Sequence, residues 1–187
     1  LQDLLFDRGY EFTTSAEREI VRDIKEKHGY VALDYDMELQ KTKSTSKYDV
    51  SYKLPNDNFI TVSDERFIGP ELLFKPHLNG LYNDGIDTLI YDSIVSCGIF
   101  DLKPLYENIV LGGGCSMLKG LPERLEKEIT NLAPPTMRVK IIAAPERKYS
   151  VWIGGSILGS LATFPEMVVT HDEYNDCGPT IVHQVFS

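Results

Sequence analysis

The sequence predicts an α/β fold, and three features carry that expectation. In the second half, short apolar runs with strand chemistry alternate with longer segments of helical period. At 108–111 one such run leads directly into Gly112-Gly113-Gly114 and then into a new helical stripe. The first half is more helical and holds one small antiparallel signal, Pro55-Asn56-Asp57-Asn58 between two strand-like runs. With 187 residues, 42% of them apolar and 25% charged, the chain is long enough for one or two compact units with a real core.

The elements follow in order. Residues 13–27 predict a helix: Thr14 and Glu17 form a capping box, Ile20, Val21 and Ile24 form an apolar stripe, and Gly29 is the stop. Residues 31–33 and 49–54 predict short strands, and the polar Ser/Thr/Lys-rich segment 40–47 between them predicts a mobile loop. Residues 59–62 complete the hairpin, and 65–74 form a helical or irregular segment ending before Pro76. Residues 85–97 read as a helix with Ile86, Leu89, Ile90 and Ile94 on one side. Residues 102–106 are a connector and 108–111 a buried strand. After the glycines a helix runs through Leu118, Leu121, Leu125 and Ile129, and 139–143 form another strand. Residues 148–163 form an apolar helix in which Gly155 and Gly159 allow another backbone to approach closely. A composition break near 82–85 is the expected internal boundary.

The bulk chemistry narrows the function. A net charge of −9 repels phosphate backbones, so nucleic acid and anionic membrane are excluded as partners. Three unpatterned cysteines, Cys97, Cys115 and Cys177, form no disulfide framework and no zinc motif. The longest uncharged run, 149–165, is shorter than the roughly 20 residues a membrane span needs. No leader of the charged-then-apolar kind opens the chain, and the start at Leu1-Gln2-Asp3 reads as that of a fragment.

Three features bear on chemistry. Glycines after a strand let a backbone approach a ligand, and a following helix offers free N–H groups, so 108–131 fits phosphate or ribose binding as well as an ordinary tight β–α turn. It is neither a Walker loop nor a dinucleotide fingerprint. Arg22, Lys25, Glu26 and Gly29 share one helix face, which serves an anionic ligand or is simply solvated. Lys148 precedes an apolar helix, at a ligand's edge or at the surface. The four histidines have no metal-ligand spacing, no nucleophile motif is present, and neither a catalytic nor a metal-ligating residue is assigned.

Longer runs carry a family resemblance. Phe12-Thr13-Thr14-Ser15-Ala16-Glu17-Arg18-Glu19-Ile20-Val21-Arg22-Asp23-Ile24-Lys25-Glu26-Lys27 resembles actin, as does Tyr30-Val31-Ala32-Leu33-Asp34. So do residues 140–158, which contain Pro145-Glu146-Arg147-Lys148-Tyr149-Ser150-Val151-Trp152, and the ending Gly178-Pro179-Thr180-Ile181-Val182-His183. The register holds without gaps over the whole chain. The resemblance implies the second domain of the actin-like ATPase fold, with a mixed sheet flanked by helices and a smaller helical outer lobe. Residues 1–82 then correspond to the outer lobe and 83–148 to the inner lobe with the strand-glycine-helix loop. Residues 149–187 become C-terminal helices that pack on a first domain this chain lacks.

The resemblance also implies the sites. Arg22, Lys25 and Glu26 match the helix lining the adenosine side of a cleft for ATP or ADP. Gly113, Gly114 and Met117 match the loop beside ribose and α-phosphate, and Lys148 the lysine near the base. Mg²⁺ or Ca²⁺ is expected to be held mainly through the phosphates and the missing half. Ile153, Ile157, Leu158, Leu161, Thr163 and Met167 match a groove wall that receives regulatory proteins and neighbouring actin protomers. Cys115 and Leu118 replace a threonine and a tyrosine of the family pattern, and Asn79, Gly98, Phe100 and residues 184–187 depart from it at filament contacts. The implied protein is the C-terminal half of a cytoplasmic, cytoskeletal, filament-forming ATP-binding actin that hydrolyses ATP only when completed. The alternatives are a truncated, non-polymerising module that engages actin regulators, or another ATPase of the superfamily.

Overall fold

The computed structural model describes residues 1–98 and 102–185; Phe100, Phe186 and Ser187, three of the expected departures, lie outside the described residues. The chain divides into two compact units, Leu1–Lys148 and Tyr149–Ser187.

The first unit opens with α1 (Gln2–Asp7) and α2 (Ser15–His28). The capping box of α2 forms as the sequence predicts. The Thr14 hydroxyl accepts from the Glu17 N–H at 3.3 Å, and the Glu17 carboxylate accepts from the Thr14 N–H at 2.8 Å. Donation to the Glu17 carboxylate from the Thr14 N–H, then from the Thr14 hydroxyl and the Thr13 N–H, holds that carboxyl below its ordinary pKa. Val21 and Ile24 point inward, and Gly29 ends the helix in an extended rather than a left-handed conformation. The hairpin of β1 (Val50–Lys53) and β2 (Phe59–Val62) pairs antiparallel with Val50 opposite Val62. Its turn places Asp57 at a φ of 64°. Leu5, Phe12, Val21, Ile24, Ile60 and Val62 close one apolar cluster between these elements.

Two expectations in this region need correction. Most of the expected loop at 40–47 is helical: α3 covers Tyr35–Ser44, and after Thr45 a short 3-10 turn covers Ser46–Tyr48. The Asp34 carboxylate caps α3 by accepting from the Met37 N–H at 3.0 Å, and Lys41 pairs with Glu38 at 3.2 Å. No residue of α3 is buried, so no apolar stripe marks it in the sequence. Residues 31–33 are not a strand either. A single parallel bridge joins Tyr30 to Lys119, and Gly120 then turns left-handed, which ends the pairing.

After α4 (Glu65–Glu71), α5 (Ile86–Ser96) and the short α6 (Lys103–Glu107) come β3 (Ile109–Val110), α7 (Leu121–Leu132) and β4 (Ile141–Ile142). A second cluster joins Val31, Phe74, Ile94, Tyr106, Leu121, Leu125 and Ile129, with Ile86 and Ile90 against it. Leu89, expected on the same stripe, is 51% exposed. The expected mixed sheet is two separate two-stranded ladders among the described residues, β1–β2 antiparallel and β3–β4 parallel. The strand at 108–111 is accordingly not buried throughout. β3 has a partner on one side only, and Val110 is 69% exposed. Glu71 and Arg124, both buried, form a two-pronged ion pair with both contacts at 3.1 Å.

The second unit contains α8 (Ser150–Ser160), α9 (His171–Cys177) and α10 (Val182–Val185). Thr170 and Glu173 repeat the capping box at the start of α9. α8 is apolar on all sides and contains no buried residue. A Cβ at Gly155 or Gly159 would meet nothing within 4 Å, so the backbone at both stays open to close approach. No single helix among the described residues is long and apolar enough to cross a membrane.

Candidate functional site

A cavity of about 500 Å³ lies entirely within the first unit. Five stretches of chain meet around it, the first being Leu1. α2 contributes Ile24, Lys25, Glu26 and the stop residue Gly29. The end of β2 and α4 contribute Val62, Glu65, Arg66, Gly69 and Pro70. The turn after β3 contributes Gly114, Cys115, Met117 and Leu118, and the loop after β4 contributes Lys148. The size falls within the roughly 300–1,000 Å³ of small-molecule sites.

The local structure explains how each wall is held. Lys25 and Glu26 stand on the exposed face of α2 because Val21 and Ile24 are drawn into the apolar cluster. Gly113 takes a φ of 87° and a ψ of 167°, a conformation that side chains disfavour, and so reverses the chain into a short 3-10 turn at Gly114–Met117. The expected helix does not start there. α7 begins only at Leu121, so the glycines are followed by one tight turn rather than by a helix end. The turn is closed by Ser116, whose hydroxyl donates to the Gly113 carbonyl at 2.7 Å. A Cβ added at Gly114 would meet nothing within 4 Å, so the space before this backbone is open to a ligand.

Of the residues singled out from the sequence, Lys25, Glu26, Gly114, Met117 and Lys148 line this one cavity. Gly113 does not line it but shapes the turn that does. Arg22 does not line it either; it lies three residues, about 4.5 Å, further back along the helix axis and pairs with Glu19. Ile157, Leu158, Leu161, Thr163 and Met167 are exposed in the second unit, and Ile153 is half-buried.

Three charged residues around the site were not visible in the sequence. Glu65 is buried, accepts from the Ser63 N–H at 2.8 Å and pairs with Arg8 at 2.9 Å. Arg66 donates to the carbonyls of His28 and Tyr48, both at 3.0 Å, and its guanidinium lies over the Tyr30 ring. Arg147 donates to the Ser116 carbonyl at 3.1 Å and the Ala144 carbonyl at 3.0 Å. Each joins segments far apart in the chain, and no local spacing rule signals such a link.

The donor set suits a nucleoside phosphate. Met117 and Leu118 offer apolar surface for a base, Glu26 an acceptor for hydroxyls, and Lys25 and Lys148 positive charge. It suits a divalent cation less well, because Glu65 is committed to Arg8 and Ser63. No group of three or more metal-capable side chains stands among the described residues. A family model for actin matches residues 2–187. The chain belongs to the actin family. Its α/β character, with small ladders and flanking helices, is compatible with an actin-like fold. Actins as a family bind a nucleotide with a divalent metal, and this actin-family chain carries a cavity whose lining chemistry fits the nucleoside part of such a ligand.

Proposed function

We propose that this chain forms the adenosine-side wall of an ATP- or ADP-binding cleft in a cytoskeletal, filament-forming actin. One observation carries the reading: Lys25, Glu26, Gly114, Met117 and Lys148, drawn from three separated segments, face a single cavity. In this reading Glu26 accepts from the ribose hydroxyls. Met117 and Leu118 pack on the base beside Lys148. The open backbone at Gly114 lies next to the ribose and α-phosphate, and Lys25 supplies positive charge. When bound, the nucleotide's phosphates bring the divalent cation, whose remaining ligands come from outside these residues. No general base is assigned to this chain, because in-line phosphoryl transfer needs water and cation positioning from both walls of a cleft.

The filament and regulator surfaces are proposed on the second unit. Trp152 is 74% exposed and Ile157 58% exposed on a helix that buries nothing. Apolar surface of this kind marks a face that another surface covers. Lobe limits at 82 and 148, a cytoplasmic location and contacts with further actin protomers belong to the same proposal.

Equilibrium binding of a fluorescent ATP analogue tests the site. The 187-residue chain is expected to bind it weakly and to hydrolyse ATP no faster than background. Glu26→Gln and Lys148→Met should each weaken binding about tenfold, the effect of one lost charged hydrogen bond. Binding that survives both changes unaltered would refute the assignment, and Mg²⁺-stimulated turnover would refute the division of labour.

A further inference from the structure

We propose that Arg147 is the positioning residue of the cavity, fastening the glycine turn to the loop that carries Lys148 so that the two move as one wall. This rests on the nucleotide reading above for its consequence, though not for its geometry. The β3–β4 ladder ends at the bond from the Leu111 N–H to the Ile142 carbonyl, 2.9 Å. Beyond it both chains run on as loops, one to Gly114 and Met117, the other to Lys148.

Arg147 joins those loops through main chain and side chain together. Its carbonyl accepts from the Gly113 N–H at 2.8 Å. Its Nε donates to the Ser116 carbonyl at 3.1 Å. On the other side its Nη1 donates to the Ala144 carbonyl at 3.0 Å and reaches the Ala143 carbonyl at 3.4 Å. Ser116 is buried and itself closes the turn onto Gly113, so the grip on Ser116 is transmitted to the whole turn. Only a guanidinium presents donors in two fixed directions in one plane; an ammonium keeps the charge but cannot span both sets of carbonyls. Arg147 is not among the cavity's lining residues, so its influence passes through Gly114, Met117 and Lys148.

The test uses the full 187-residue chain and the variants Arg147→Lys, Arg147→Gln and Lys148→Met. Hydrogen exchange of the Gly113–Leu118 amides is measured without nucleotide, and release of a fluorescent ATP analogue is measured with Mg²⁺. Both Arg147 variants should exchange about tenfold faster across that turn and release the analogue about tenfold faster, as expected for one charged hydrogen bond lost. Their urea transitions should stay cooperative with the parent's slope and shift by no more than about 0.5–1.4 M, which separates a loosened wall from a damaged fold. Lys148→Met should weaken nucleotide binding while leaving exchange at the turn unchanged. Turn exchange equal to the parent's in Arg147→Lys and Arg147→Gln would overturn the proposal whatever the affinity. Faster exchange with unchanged release would overturn its functional half. Faster exchange in the variants of a chain whose parent binds no nucleotide supports the fastening and removes the nucleotide reading instead.

Discussion

Replacing Arg124 by methionine exposes the cost of a charge left alone in the core. Arg124 is 5% exposed and Glu71 0% exposed. The guanidinium meets the Glu71 carboxylate through two bonds of 3.1 Å and the Ala32 carbonyl through one of 2.7 Å. It also pairs with Glu128 at 2.6 Å and lies over the Phe74 ring. Burial works against its charge, but Glu71 and Glu128 outweigh burial and hold its pKa above the ordinary guanidinium value. Arg124→Met keeps most of the packing volume and strands the carboxylate. Breaking a buried pair from one side costs about 3–5 kcal/mol. Lys75 stands 3.6 Å from Glu71 and partly compensates, which places the expectation near the lower end, about 3 kcal/mol. Total stabilities of natural domains are about 5–15 kcal/mol, so a loss of about 3 kcal/mol leaves the variant folded with a lower margin. Urea unfolding followed by circular dichroism measures it. With slopes of about 1–3 kcal/mol per molar, the midpoint should fall by about 1–3 M at constant slope. Arg124→Met combined with Glu71→Leu removes both charges and should recover most of the loss. A single variant within about 0.5 kcal/mol of the parent would refute the argument, as would a double variant less stable than the single one.

Gly120→Ala should destabilise by about 1–3 kcal/mol, because φ is 80° and an added Cβ would collide with the Val31 carbonyl oxygen; thermal unfolding checks it, and an unchanged midpoint would count against that close approach. Thr14→Ala removes half of the capping box and should cost about 1 kcal/mol, read as a lower urea midpoint, with faster amide exchange in the first turn of the helix that carries Lys25 and Glu26. His28 is held below the usual histidine value of about 6.5 by burial and then by the charges of Arg66 and Lys27. The folded chain therefore binds fewer protons there than the unfolded one, so this site contributes no difference above that value and lowers stability as pH falls through it. His28→Gln should shrink the stability loss between about pH 7 and pH 5.5, a window that brackets the unfolded value. An equal loss in parent and variant would exclude His28 as the cause.

Local chemistry was legible in the sequence wherever its partners lie within one helical turn. Thr14 and Glu17 are three residues apart, and Pro55 to Asn58 is a complete turn, so neither needs the rest of the chain. The family also was legible, because long ungapped runs specify it regardless of packing. α3 escaped notice because its cap, Asp34, is short-range while its faces stay exposed, leaving no apolar period to detect. The expected helix after the glycines started too early for a related reason: Leu118 fits the stripe of α7, but the left-handed Gly120 interrupts the backbone between them.

What only the tertiary structure decided is how distant segments share one space. Arg124 reaches Glu71 across 53 positions, and Arg147 reaches Ser116 across 31. Lys25 and Lys148 line the same cavity although 123 positions separate them, counting 148 − 25. Side-chain type reports what a residue prefers to touch, but a charged residue on an amphipathic face looks alike in sequence whether water or a cavity lies before it. The sequence by itself therefore determined the family, the Thr14–Glu17 cap and the residues with suitable chemistry. The folding of α2, the glycine turn and the loop after β4 around one void decided which of those residues stand together: Lys25, Glu26, Gly114, Met117 and Lys148, but not Arg22.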